Sequence, residues 1–230
     1  MTIMLDHRQQ IHLEYHKIFF IFLILLIFFI SGISNSAETR LWTFASVNKK
    51  NNDFLYSLRT QTRFKNLSLQ YNESVSHGEI GYLVAKHTIL SQGLTWSYEK
   101  ETTGSENILR LWQQLTVGSK YRLYDFYSRT RLEERRHLTF KSWNFKLRER
   151  VRVLLPLSDH LDIDGFDEIL INLNNPVWVA PGAFDQNRSY IGILGKINQN
   201  VYIRVGYLNR YFFSADRTEH VIHLGVDFSY

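Results

Sequence analysis

The chain has 230 residues, room for one sizeable domain, and no cysteine, which excludes disulfide frameworks, thiolate metal sites and thiol chemistry. Its 27 Lys and Arg against 22 Asp and Glu give a net charge of +5, so a strongly acidic character is excluded and an anionic partner is permitted. Aromatic residues make up 15% of the chain while proline occurs three times, a mixture that favours long strands over a loop-rich domain.

The amino end carries an unbroken apolar run, Ile18 to Ile30, preceded by Arg8 and Lys17 and followed by the small, polar stretch Ser31 to Ala37. That order of regions reads as a secretory signal peptide over residues 1–37, cleaved after Ser36 or Ala37. A run of thirteen is short for a helix that must span the bilayer, which needs about 20 apolar residues. The two cations and two acids that leave with the signal keep the charge balance of residues 38–230 unchanged. Export through the Sec pathway follows as the expectation.

Beyond residue 38 the period of the side chains is two. In Leu55 to Phe64, Ser57, Arg59, Gln61 and Arg63 fall on one side and Leu58, Thr60, Thr62 and Phe64 on the other. In Ile108 to Val117, Arg110, Trp112 and Gln114 oppose Leu109, Leu111, Leu115 and Val117. Further on, Arg129, Arg131, Glu133 and Arg135 oppose Tyr124, Phe126 and Leu132; then Lys146, Arg148, Arg150 and Arg152 oppose Trp143, Phe145, Leu147, Val151 and Val153, with Glu149 the one misfit. Residues two apart share a face on a strand and not on a helix, so the arginines form rows on extended segments. An arginine facing mid-bilayer lipid costs about 2–4 kcal/mol, so if the apolar face meets lipid the rows face a lumen.

Twelve strands are expected, near 40–48, 54–64, 66–74, 78–87, 90–99, 107–117, 121–135, 143–155, 162–174, 186–197, 200–212 and 219–230; ten remain possible if 66–87 is one bent strand. The fold class is all-β: an antiparallel up-and-down transmembrane β-barrel over residues 38–230. The lumen-facing candidates are Arg59, Arg63, Arg110, Arg129, Arg131, Glu133, Arg135, Arg148, Arg150, Arg152, Glu168, Arg188 and Arg204. An even strand count would put both chain ends at one rim, in the periplasm. The connections 49–53, 74–78, 100–106, 136–142, 175–185 and 213–218 would then lie outside.

The last segment repeats the pattern most clearly. Ile222, Leu224, Val226, Phe228 and Tyr230 alternate with His223, Gly225, Asp227 and Ser229, and the chain ends on an aromatic residue. This resembles the terminal signal by which bacterial outer-membrane barrels are recognised for insertion. The expected surroundings are therefore outer-membrane lipid and lipopolysaccharide, with the barrel-insertion machinery as a partner and a monomeric state. Cations periodic on strands behind a signal peptide speak against nucleic-acid binding.

The runs Arg129 to Arg135 (RTRLEER), Arg148 to Arg152, Phe166 to Asn174 (FDEILINLN), Phe184 to Arg188 (FDQNR), Gly206 to Asn209 and His220 to Leu224 together resemble domain-of-unknown-function family 2490, a group of proteobacterial outer-membrane barrel proteins. The Trp42 strand and Arg110 to Gln114 fit the same pattern. The resemblance implies an integral barrel in the outer membrane and carries no established activity or catalytic residues.

Two readings of the arginine rows stay open: an interior knitted by pairs with acids such as Glu133, Glu168 and Asp227, or an electropositive lining that attracts small anionic solutes. Asp167, Glu168, Asn172, Asp185, Gln186 and Asn187 flank the longest outer connection, but their spacing lacks the rhythm of a calcium loop, so turns, caps and a Glu168–Arg188 pair are expected in place of a metal site. Trp178 in that connection reads as a girdle or loop-packing residue. Histidines 77, 87, 137, 160, 220 and 223 and serines 76, 97, 128, 142 and 229 include only two close pairs, Ser76 with His77 and His223 with Ser229; no nucleophile elbow or metal-ligand histidine pair accompanies them. No enzyme, metal or cofactor is expected.

Overall fold

The computed structural model describes residues 38–101, 104–121 and 123–230. The expected signal peptide lies outside the described residues. Every element among the described residues is a strand: β1 Glu38–Asn51, β2 Phe54–Phe64, β3 Tyr71–Ala85, β4 Thr88–Glu101, β5 Gly104–Tyr121, β6 Tyr124–His137, β7 Trp143–Ser158, β8 Leu161–Asn172, β9 Phe184–Lys196, β10 Val201–Phe212 and β11 Arg217–Ser229. Each pairs with its sequence neighbours antiparallel, and β1 closes the barrel against β11.

The count is eleven where twelve were expected, because the third and fourth expected strands are one element and a turn. Residues 65–70 are not a strand, although Leu67, Leu69 and Tyr71 alternate there; Leu69 takes φ +61° and both leucines are exposed. Conversely, 74–78 is no loop: Ser74 to Gly78 runs straight through β3, paired to β2 and β4. An odd number of up-and-down strands leaves the first and last running the same way, so β1 and β11 pair in parallel, from Glu38↔Glu219 to Asn48↔Ser229.

The first and last described residues therefore do not share a rim. Tyr230 ends at the rim that carries the connections 52–53, 86–87, 159–160 and 197–200, the short rim; Glu38 starts at the other, which carries 65–70, 138–142, 173–183 and 213–216, the long rim. The connection 49–53, expected among the long loops, is a tight turn at the short rim, with Asn52 at φ +54°. Tyr230 is stitched to β1 from both sides, its N–H donating to Asn48 O at 2.9 Å and its carbonyl accepting from Lys50 N at 3.1 Å.

The wall is polarised as the alternation requires. Leu58, Ile80, Leu90, Val151 and Val205 point outward and are half or more exposed, while Glu168, Asp164, Glu133 and Arg131 are buried inside. The inner face has a small apolar cluster of Trp42, Tyr190, Leu208 and Val221, with Phe166 stacked on Tyr190. Inward rings need room on neighbouring strands, and glycines supply it: a Cβ on Gly225 would sit 1.9 Å from the Phe44 ring, and one on Gly206 would sit 2.3 Å from the Tyr190 hydroxyl. A strand glycine here marks close approach, as expected where a ring lies flat on the wall.

Candidate functional site

The interior holds a cavity of about 570 Å³, bordered by fourteen arginines and Lys146 but only six glutamates. The strand period delivers these side chains. Arg129, Arg131, Glu133 and Arg135 are successive inward positions of β6, and Lys146, Arg148, Arg150 and Arg152 those of β7, which pairs with it so that Arg129 lies opposite Arg150 and Arg131 opposite Arg148. Like charges directly across a ladder repel, so the arrangement needs acids from further round the wall.

Glu168 of β8 is the main one. Fully buried, it accepts from Arg148 at 2.9 Å and Arg150 at 3.1 Å, takes a further hydrogen bond from Arg129, and has Arg188 at 3.9 Å. Glu133 accepts from Arg148 at 2.6 Å and lies 3.7 Å from Arg131, whose guanidinium also forks onto Gln114 at 2.6 and 2.8 Å. Towards the long rim Glu73 accepts from Arg63 at 2.6 Å, and Glu219 is shared by Arg40, Arg210 and Arg217 within 3.0 Å. Lys146 pairs with Asp185 at the bulge that starts β9.

Towards the short rim the chemistry changes. Asp164, fully buried, takes both Arg152 and Arg204, and Asp227 takes Ser46, Arg204 at 3.3 Å and Arg59 at 3.6 Å. Neither aspartate borders the cavity, whose lining stops at Arg152, Arg204, Ser57 and Glu79. At the long rim it reaches Glu106, Phe212 and the exposed Arg217. The chamber thus extends towards the long rim and is floored by paired aspartates.

The arginines are also seated on aromatic faces: Arg131 lies 3.7 Å from the Trp112 ring centroid, Arg63 4.0 Å from Trp42 and Arg150 4.0 Å from Phe166. Such stacking fixes a guanidinium plane while leaving its edge donors free. Several donors keep no protein acceptor: the buried Nε of Arg59, Arg110, Arg129, Arg135 and Arg150, the Trp42 indole N–H and the Tyr190 hydroxyl.

Of the thirteen residues expected to face the lumen, the structure places all but Glu168 on the cavity border, with Glu168 behind Arg148. Pairing of Glu168 with Arg188 is its longest contact; Arg148, Arg150 and Arg129 are its nearer partners. Reasoning from the sequence missed Arg40, Arg210, Arg217, Glu73, Asp164 and Glu219 as parts of the network, although Arg204, Gly206, Leu208 and Arg210 alternate as legibly as the rows that were found. Ile222, Leu224, Val226 and Phe228 take the outward positions of β11, opposite the inward His223 and Asp227, and Tyr230 follows just past its end.

The flanks of the longest loop do not converge. Asp167 faces out, accepting from Asn187 at 2.9 Å and Ser189 at 2.7 Å, while Glu168 and Asp185 face in on cations. Trp178 packs in the loop: its indole donates to Ser142 at 2.7 Å and its ring meets His137, with Arg135 5.3 Å from its centroid, drawing 173–183 over the long rim. Ser76 and His77 are on opposite faces of β3, and His223 stacks on Phe44 with Gln61 at 3.5 Å.

A family model described as "Protein of unknown function (DUF2490)" matches residues 39–221, nearly the whole barrel. An uncharacterised protein of Methylorubrum extorquens is 26% identical over 192 residues, covering 78% of this chain and 83% of that protein.

Proposed function

The chain belongs to the DUF2490 family, a membership that brings no activity with it, and we propose that it is a monomeric transmembrane barrel of the bacterial outer membrane whose lumen binds small anionic solutes entering from the long-loop rim. The membrane part rests on the inside-out distribution of polarity. Soluble monomers rarely expose a contiguous apolar band, and here Leu58, Ile80, Val84, Leu90, Val151, Ile193 and Val205 are all exposed on the outer wall while the charges are within. Two rims, one of tight turns and one of longer loops, fit a barrel whose short rim faces the periplasm. The outward row from Ile222 to Tyr230 then serves the insertion machinery, with lipid and lipopolysaccharide around the wall.

One observation carries the lumen part: fourteen arginines and Lys146 border the cavity against six glutamates, and Arg59 and Arg110 reach their acids only at 3.6 and 3.9 Å. Guanidinium groups crowded on a lumen and short of carboxylates are compensated by an anion's oxygens. The forked geometry of arginine suits carboxylate or phosphate, and the aromatic seats hold the guanidinium planes in place for it. Acidic sugars and organic phosphates are the class favoured. Passage to the short rim requires parting Asp164 from Arg152 and Arg204.

The test uses purified protein in planar bilayers, with calorimetric titration of a hexuronate and of inorganic phosphate. Arg59 and Arg110 are the informative positions because their acid contacts are long, 3.6 Å to Asp227 and 3.9 Å to Glu73. Wild type binds the anion or carries anion-preferring current, and Arg59→Gln with Arg110→Gln removes it while the barrel still folds. Neither binding nor current in wild type overturns the reading. That outcome favours the second one, a structural or surface-interaction barrel held rigid by the Glu168 hub, for which the buried network itself is the supporting observation.

A further inference from the structure

We propose that the outer wall over β1 to β5 carries a binding site for a phospholipid of net negative charge, seated with its headgroup at the short rim; the site rests on the membrane reading above. An apolar groove of about 960 Å³ runs down this wall, bordered by Leu58, Ile80, Leu90, Leu94 and Leu111. It exists because Gly78, on the outward row of β3 between Ser76 and Ile80, has no side chain to fill it. Leu58, Ile80, Leu90, Leu94 and Leu111 stand around the gap like the sides of a trough.

The headgroup end is set by what stands at the top of the trough. Tyr56 and Tyr82 border it one turn of pleat below the short rim, at the depth where phenols sit between hydrocarbon and water. Above them Lys49 borders the groove, with its stem along the apolar wall and its ammonium free to reach the rim. Lys50 and Lys86 are exposed on the same rim, Lys86 in the turn that follows β3. None of the three lysines has an ion-pair partner among the described residues, and Asp53 is the carboxylate on the adjoining turn. The groove's other charged lining residue, Glu79, projects inward to the lumen cavity. Cations at the mouth and apolar walls below match a diacyl phosphodiester lipid whose headgroup lacks a compensating amine.

The trough can be filled without touching the interior. A Cβ on Gly78 meets only Leu58 Cδ2 at 3.4 Å, whereas one on Gly93 would strike the Trp112 ring at 2.2 Å. The full mature chain is purified in a mild detergent and its retained lipid read by native mass spectrometry after exposure to phosphatidylglycerol or phosphatidylethanolamine. Wild type retains phosphatidylglycerol in preference. Lys49→Ala with Lys86→Ala lowers that retention by about fivefold per lysine, and Gly78→Leu lowers retention of both lipids. Equal retention of the two lipids by wild type, or phosphatidylglycerol retention unchanged in both variants, overturns the proposal. Flotation of the same samples with phosphatidylglycerol–phosphatidylethanolamine vesicles separates the two failures. Protein that floats but shows no preference loses the lipid site alone, while protein that stays in the aqueous layer loses the membrane reading.

Discussion

The two ends of the lumen solve the same electrostatic problem differently. At the floor, Asp164 and Asp227 meet Arg152, Arg204 and Arg59 nearly one to one, and Ser46 takes up the oxygen left over. In the chamber above, Glu168 serves Arg129, Arg148, Arg150 and Arg188, sharing only Arg148 with Glu133, so guanidinium groups outnumber carboxylates. On the reading proposed above, the paired floor is the seal and the acid-poor chamber is the receptor for anions. The location of the missing negative charge, more than the number of arginines, is what sets the two parts of the lumen apart.

The comparison breaks most sharply at Glu168. Removing one partner of a buried pair leaves charge without compensation and costs about 3–5 kcal/mol, and here four guanidinium groups lose the same acceptor. Glu168→Leu is expected to give a barrel that unfolds at markedly lower urea concentration, or never reaches the heat-modifiable folded form on a gel. Arg188→Gln, which removes the 3.9 Å contact and two hydrogen bonds to Gln186 but leaves Glu168 its three nearer guanidinium groups, shifts both readouts much less. If Glu168→Leu proves as stable as wild type, the hub is ornamental and the contrast between floor and chamber fails.

A second test sets ring seats against ordinary wall. Phe44 and Gly225 face each other across the parallel β1–β11 seam, the one joint that closes the circle. Gly225→Val drives a side chain into the ring and costs about 1–3 kcal/mol by overpacking. Its signature is unfolding that begins at this seam, read as early loss of amide protection in β1 and β11. Gly195→Ala is the control, since its nearest neighbour would be a carbonyl 3.9 Å away, and it changes nothing measurable.

The inner rows were legible in the sequence because a two-residue period needs no knowledge of partners: Arg129, Arg131 and Arg135 share a face whatever lies across from them. Glu133 and Glu168 were expected inside, but the nearer partners of Glu168 and the part played by Asp164 were not legible, because the inward positions of β8, Asp164, Phe166, Glu168 and Leu170, mix charge with apolar residues and show no row. Topology failed at one place, where Leu67 and Leu69 alternate in a segment that turns while the polar Ser74 to Gly78 stays extended between two paired neighbours. Local pattern could not weigh those partners. One strand fewer reversed the parity of β1 and moved Glu38 to the rim opposite Tyr230.

The smallest effect is on the outer wall, and it tests the same inside-and-out logic from the other side. Glu149 breaks the apolar row of β7 near its middle, pointing outward with its carboxylate accepting from Thr130 at 2.9 Å; Asp167 lies diagonally across β8 with Ser189 and Asn187 as donors. Neither carboxylate has a cationic partner on that face among the described residues, so each is held by neutral donors alone. In lipid that arrangement is a penalty, smaller for an acid than for arginine at the same depth. Glu149→Leu is therefore expected to raise stability in bilayers by about 1 kcal/mol, read as a shift of the urea midpoint in lipid vesicles. No gain would mean that β7 does not face hydrocarbon at this level, and the outer wall between β6 and β9 would then have to be covered by something other than lipid.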